Sequence, residues 1–228
     1  VVLKRGAKHA DHGVMSHRIR MVMHSGTHLN APIHLVQHGA GVGGILAGIR
    51  LREEGIPFCI VEKNADVGGT WYENTYPGAR VDTPNYFYCS SFEPNHDWSQ
   101  YYSGQPELQA YLKRCCDEYK VSEQLRLNTA VTDIIFDETG QFWRVHVQRQ
   151  DGSTDVITAK AVISAVGQLN RSKIPDFPGR GDFNGPQFHS AAYEHEHDLR
   201  GKRVAVIGTG ASAFQLVPAI VGQVANIK

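Results

Sequence analysis

The stretch that most constrains this chain is LVQHGAGVGGILAGIRLREEGIPFCIVEK, residues 35–63. Gly39, Gly41 and Gly44 form G-x-G-x-x-G, and a run with Ile45, Leu46, Ile49 and Leu51 apolar follows, which predicts a helix. Gly55 and Pro57 end it, Phe58-Cys59-Ile60-Val61 predicts a buried strand, and Glu62 stands at the strand's end. This is a βαβ unit of about 30 residues with an acid roughly 20 residues beyond the glycines, the pattern of a dinucleotide-binding unit. The first glycine allows a tight turn, the second a close approach to a pyrophosphate, and the third close packing of helix on sheet. The helix N-terminus offers unpaired N–H groups and a positive dipole end to phosphates. Glu62 can accept hydrogen bonds from ribose hydroxyls.

Composition narrows the alternatives. The chain has 228 residues, 23 Lys plus Arg against 23 Asp plus Glu, and 41% hydrophobic residues. The balanced charge argues against nucleic acid or an anionic membrane as partner. No apolar run reaches bilayer length, and no signal-like apolar core opens the sequence, so a cytoplasmic protein is expected. Cys59, Cys89, Cys115 and Cys116 lack C-x-x-C spacing and are read as reduced thiols. No sequence feature fixes an oligomeric state.

Residues 1–38 differ from the rest and hold seven of the twelve histidines. Three of them, in His24-Ser-Gly-Thr-His28-Leu-Asn30-Ala-Pro-Ile-His34, could converge on a metal. The segment resembles the H-x-G-T-H-x-D-x-P-x-H site of the cyclase (kynurenine formamidase-like) hydrolases, which makes His24, His28 and His34 candidate zinc ligands. Asn30 replaces the usual Asp, and nothing later supplies the rest of such a domain. The favoured reading is therefore a histidine-rich leader with no metal site. Gln37 and His38 are polar where a strand buried on both faces is expected to be apolar, which implies either a splice near Gly39 or a drifted first strand.

Further motifs follow Glu62: DVGGTW (66–71), YPGARVD (76–82) and SFEPNHDW (91–98). With GAGVGG and VEK, they resemble the class B flavoprotein monooxygenases. The likeness is greatest to the Baeyer–Villiger type, near the 4-hydroxyacetophenone monooxygenase group, and runs from about Gly39 to near the C-terminus. It implies an FAD site in which Gly39, Gly41 and Gly44 hold the pyrophosphate and Glu62 the adenosine ribose. Gly69, Thr70 and Trp71 would lie along the flavin. Arg80 and Asp82 would face the flavin and nicotinamide, and Tyr88 would touch FAD. Without the likeness, Trp71 and Tyr88 read equally well as aromatic core, and Arg80 and Asp82 as a surface ion pair.

Residues 103–120 carry Leu108, Tyr111, Leu112 and Cys115 at helical spacing and predict an outer amphipathic helix. The period then shifts toward two. Val131–Phe136, Phe142–Val147 and Asp155–Thr158 predict a β-meander turning at Glu138-Thr-Gly140 and Asp151-Gly152. In the resembling family such a meander is inserted in the FAD domain, and Val131 would lie near the adenine. Ala161–Gly167 predicts a short buried strand ending in a glycine turn. Gly167 and Gln168 would then adjoin the cofactors, with Gln168 on NADP.

A Pro- and Gly-rich linker follows. In it Phe183, Gly185 and His189 match the fingerprint F-x-G-x-x-x-H-x-x-x-W-[P/D], while Tyr193 replaces Trp. On the likeness His189 sits at the hinge between FAD and NADP domains; alone it reads as a solvated histidine. Tyr193 leans toward flavin-containing N- and S-oxygenases. His195 and His197 read as a solvated turn. Lys202-Arg-Val-Ala-Val-Ile-Gly208-Thr209-Gly210-Ala211-Ser212-Ala213 repeats a strand and G-x-G-x-x-A loop, suited to NADP.

The expected fold is α/β: a Rossmann-type FAD-binding domain (39–170) with parallel sheet and inserted meander, a linker (171–198), and the start of a truncated Rossmann NADP-binding domain (199–228). The strand after the second helix is expected to be missing. The resemblance implies an FAD- and NADPH-dependent monooxygenase that inserts one oxygen of O2 beside a ketone carbonyl, through a peroxyflavin, to give an ester. Heteroatom oxygenation and a non-catalytic dinucleotide-binding fragment are the alternatives. Its catalytic arginine is expected outside this chain, so the fragment alone is expected to be inactive.

Overall fold

A computed structural model describes residues 35–228. The first βαβ unit forms as β1 (Leu35–His38), α1 (Val42–Glu53) and β2 (Phe58–Val61). The polar residues at 37 and 38 do not prevent the first strand: β1 pairs in parallel with β2 over its whole length, Leu35 opposite Phe58 and His38 opposite Val61. All four β2 side chains are buried. Helix α1 turns Gly44, Ile45, Gly48, Ile49 and Leu51 inward. At Gly48 an added Cβ would lie 2.9 Å from Val121 and 3.0 Å from Ile60, so this glycine lets the helix sit close on the sheet.

Downstream come α2 (Thr70–Glu73), α3 (Gln105–Glu118) and a two-residue strand, β3 (Leu125–Arg126). The expected face of α3 is buried: Leu108, Tyr111, Leu112 and Cys115, with Cys116 added. Tyr111 is core, its hydroxyl donating to the Glu93 carbonyl and accepting from Ser90 N–H, both at 2.8 Å. The meander forms as β4 (Thr129–Asp137), β5 (Phe142–Arg149) and β6 (Thr154–Ala159), antiparallel throughout, with an irregularity between Val131 and Asp133. Both expected turns are made. The Asp137 carboxylate accepts from Thr139 and Gly140 N–H at the first, and Gly152 N–H donates to the Arg149 carbonyl at the second.

Strand β7 (Ala161–Ser164) returns beside β1, giving a parallel sheet of order β3-β2-β1-β7. The core between meander and sheet is Cys59, Val61, Val145, Val147, Ile157, Ala159 and Val162. Removing these side chains from water at about 25 cal/mol per Å2 is the main force fixing the meander on the sheet.

The last elements are β8 (Arg203–Val204), α4 (Ala211–Ile220) and β9 (Asn226–Ile227). The strand expected to be missing after the second helix has its start here. Asn226 and Ile227 pair in parallel with Arg203 and Val204, and Val206 N–H donates to the Lys228 carbonyl at 2.8 Å. A second βαβ unit is therefore present, with two paired residues in each strand.

The described residues divide into two compact units. One holds residues up to Val67 and Cys115–Gly167; the other holds Gly68–Arg114 and Gln168–Lys228. Among the described residues no helix is long and apolar enough to cross a membrane. The four cysteines form no disulfide among the described residues, and Cys59, Cys115 and Cys116 are buried. Burial pushes the Cys116 thiol up to about 12, helped by the Asp117 and Asp66 carboxylates. Burial also raises Cys59, against the lowering influence of Arg126.

Candidate functional site

In the first unit the glycine loop is closed on three sides. Gly39 has φ +100°, and an added Cβ would lie 2.7 Å from the Ala165 carbonyl oxygen, so only glycine fits the turn. Its N–H donates to the Val61 carbonyl at 2.9 Å. Gly41 caps α1 in extended conformation, with no side chain on the first-turn N–H groups. Such first-turn donors can meet a phosphate.

Glu62 is 4% exposed. Its Oε2 accepts from Ala40 N–H at 2.7 Å, and its Oε1 accepts from Asn64 N–H at 2.9 Å. The buried carboxylate is thus satisfied by main-chain donors, and it ties the end of β2 to the glycine loop. Each oxygen keeps a further lone pair, which a ribose hydroxyl can use. Val131 lies on β4 beside the irregularity and packs, partly buried, on the core. Gly167 follows β7 with φ +73° and is exposed. These features fit a bound dinucleotide: a turn too tight for a side chain, free helix N–H groups, and a fixed carboxylate.

In the second unit, Gly69 caps α2 at φ +53° and Thr70 opens that helix. Trp71 is buried and its indole N–H donates to the Tyr88 hydroxyl at 3.0 Å, the rings meeting edge to face at 5.8 Å. Gln105 anchors the other side of this turn, its side-chain amide donating to the Trp71 carbonyl. Arg80 and Asp82 are exposed, and Arg80 Nε reaches the Gly78 carbonyl at 3.4 Å. His189 caps a short turn, its Nδ1 accepting from Ala191 N–H at 3.1 Å.

His195 and His197 are more than a solvated turn. His195 Nε2 lies 2.8 Å from Thr75 Oγ1, and His197 pairs with Glu194 at 2.8 Å and stacks on Phe188. Tyr193, at the departing fingerprint position, packs on both Phe188 and His195. Gln168 is exposed beyond Gly167. Gly208, with φ +125°, Thr209 and Gly210 lead into α4, whose first turn is Ala211 and Ser212. Gly210 caps the helix without a side-chain bond; Ala213 N–H donates to the Gly210 carbonyl at 3.0 Å, which leaves the Ala211 and Ser212 N–H groups as candidate phosphate donors.

Gly48 and Gln215 were not expected. Gly48 had a signal, its place four residues after Gly44 on one helix face. Gln215 had none: its amide meets Tyr76 and Arg80, 139 and 135 residues away. His24, His28 and His34 lie outside the described residues.

The comparisons with known proteins agree with this arrangement. A family model described as flavin-binding monooxygenase-like matches residues 34–227. It includes β1, and the cyclase-like histidine segment ends where it begins, so that second likeness gains no support. A Baeyer-Villiger monooxygenase of Streptomyces coelicolor is 41% identical over 201 residues, 88% of this chain and 37% of the relative. One of Pseudomonas aeruginosa is 44% identical over 183 residues, 80% of this chain and 34% of the relative. A crystal structure of OTEMO in complex with FAD and NADP aligns with TM-score 0.77 at 35% identity, covering 86% of this chain and 38% of that one. The chain thus spans somewhat over a third of the proteins it matches. It belongs to the flavin-binding monooxygenase-like family.

Proposed function

We propose that this chain is the cofactor-binding part of an FAD- and NADPH-dependent monooxygenase that inserts one oxygen atom of O2 beside a ketone carbonyl to give an ester. The observation that carries the reading is the presence of two glycine loops on one chain, each opening a helix whose N-cap glycine makes no side-chain cap bond. The relatives named Baeyer-Villiger monooxygenase favour the ketone substrate.

In this reading Gly39, Gly41 and Gly44 present main-chain N–H groups to the FAD pyrophosphate, and Glu62 accepts from the ribose. Val131 and Gly167 border the same cofactor. Gly69, Thr70, Trp71 and Tyr88 form its flavin-side wall, where the Trp71–Tyr88 bond fixes the indole. Arg80 supplies positive charge, and Asp82 a carboxylate, toward the flavin and nicotinamide. Gly208, Thr209, Gly210, Ala211 and Ser212 hold the NADP phosphates, with Gln168 alongside, and His189 acts at the hinge. FAD held there would supply the redox chemistry between NADPH and O2. The protein positions these groups and excludes water. We assign it to the cytoplasm, where its free cysteines stay reduced.

A second reading is heteroatom oxygenation, favoured by Tyr193 at the fingerprint position usually held by Trp. The full-length protein, loaded with FAD, is tested with NADPH and O2 against an aryl ketone, a thioether and a tertiary amine. Ester formation supports the first reading. Sulfoxide or N-oxide without ester supports the second. Bound flavin with no product from any of the three leaves a dinucleotide-binding protein without this activity.

A further inference from the structure

Within the second unit, Arg80 lies in an extended segment with a partner on each edge. On one edge Gln105 N–H donates to the Ala79 carbonyl at 2.9 Å and Val81 N–H to the Ser103 carbonyl at 3.1 Å, so Arg80 bridges Gly104 as an antiparallel pair. The pleat then turns the N–H and C=O of Arg80 to the opposite edge. There they meet a single side chain. Gln215 Oε1 accepts from Arg80 N–H at 3.2 Å, and Gln215 Nε2 donates to the Arg80 carbonyl at 2.9 Å. The carboxamide acts as one peptide unit of a neighbouring strand. The same Oε1 accepts from the Tyr76 hydroxyl at 2.8 Å.

The main chains also touch. Gly78 has φ +82°, and an added Cβ would lie 2.5 Å from the Gln215 carbonyl oxygen and 3.0 Å from the Ala219 Cβ. The YPGAR segment is therefore seated on α4 at a point only glycine allows, and Gln215 locks it there.

We propose that Gln215 is a positioning residue that makes the place of Arg80 depend on the state of the second dinucleotide loop. Gly210 caps α4, and Gln215 follows five residues later on the same helix. Gly210 and Gln215 are thus separated by about 7.5 Å along one hydrogen-bonded helix at about 1.5 Å per residue. A phosphate drawn to the first-turn donors fixes the helix end, and the Gln215 amide passes that constraint to both polar atoms of the Arg80 backbone. The inference rests on the reading that the second loop binds NADP and that Arg80 serves the flavin.

The test uses hydrogen–deuterium exchange on the full-length, FAD-loaded protein, following the peptide that contains residues 76–82 with and without NADP+. In the wild type NADP+ slows exchange there by about tenfold or more. In Gln215→Met, which keeps the length but cannot pair with the peptide, NADP+ still binds while the slowing falls below about twofold. Anaerobic flavin reduction by NADPH, counted per bound FAD, drops about tenfold in the same variant. A merely structural role would lower FAD content and leave that per-flavin rate unchanged. Tyr76→Phe removes one bond to Gln215 and gives a smaller change in the same direction; it decides the matter if Gln215→Met does not fold. Unchanged protection and an unchanged per-flavin rate in a folded variant overturn the inference. A wild-type protein that takes up neither FAD nor NADP+ removes the functional reading instead, and this inference falls with it.

Discussion

The two glycine loops share a pattern and differ in what surrounds them. The first follows β1, a strand paired on both sides, and is pressed against Ala165 while Glu62 holds Ala40. The second follows β8, a strand with one described neighbour. Added Cβ atoms at Gly208 and Gly210 would meet nothing within 4 Å. Around it Ile207 is 65% exposed and Phe214 76% exposed. The glycines permit the turn in both places, and among the described residues flanking strands and a buried carboxylate brace the first. Preorganisation of the first loop for a phosphate thus comes from the sheet and the carboxylate around it as well as from its glycines.

The sharpest way to break this contrast is to put the same methyl group into each loop. Gly39→Ala meets both a positive φ and the Ala165 carbonyl, and is expected to cost about 3 kcal/mol or more, with loss of flavin. Gly208→Ala meets a positive φ in open space and is expected to cost about 1 kcal/mol, with weaker NADP+ binding and FAD content kept. Urea denaturation with flavin counting compares the two directly. Equal costs would remove the distinction.

A smaller effect is expected from Glu62→Gln. The new amide turns a donor toward either Ala40 or Asn64 N–H, breaking one of two charge-assisted bonds. A loss of about 1.5–3 kcal/mol follows, with at least about tenfold weaker FAD binding and NADP+ binding unchanged. Isothermal titration with each cofactor would show whether the damage stays at the first loop.

The smallest of the three concerns the first unit's core. The Cys116 pKa is raised in the folded protein, so its contribution to stability is whole below the ordinary thiol pKa and is lost as pH climbs toward about 12. Between about pH 8 and about pH 10 the wild type should lose about 1–2 kcal/mol more than Cys116→Ala. Denaturation at both pH values would check it, and a parallel loss in the variant would show that other groups titrate there.

Much of the first unit was legible because its signals are local. Helix α1 and the meander each carry their own period, β2 is a continuous apolar run after Gly55 and Pro57, and Asp151-Gly152 announces its turn. Glu62 was legible as an acid at a strand end, but not as a carboxylate clamping Ala40, since that bond spans 22 residues. Strands β3 and β9 have two residues each and are too short to show a period. Strand β3 exists because the longer β2 supplies its hydrogen bonds, and β9 because it pairs in parallel with the equally short β8. In the second unit Gln215 is an unremarked helical glutamine until the fold brings Tyr76 and Arg80 to it. Trp71 and Tyr88 each read from the sequence as a flavin neighbour or as aromatic core, and only the fold shows that the indole N–H is bonded to the phenol.

The most direct measurement is the visible absorption spectrum of the full-length protein after gel filtration, taken on wild type, Gly39→Ala and Gly208→Ala. The account predicts a flavin spectrum near one FAD per chain in the wild type, the same spectrum in Gly208→Ala, and its loss in Gly39→Ala. A colourless wild type that takes up no added FAD, or a Gly39→Ala protein with full flavin content, would contradict it.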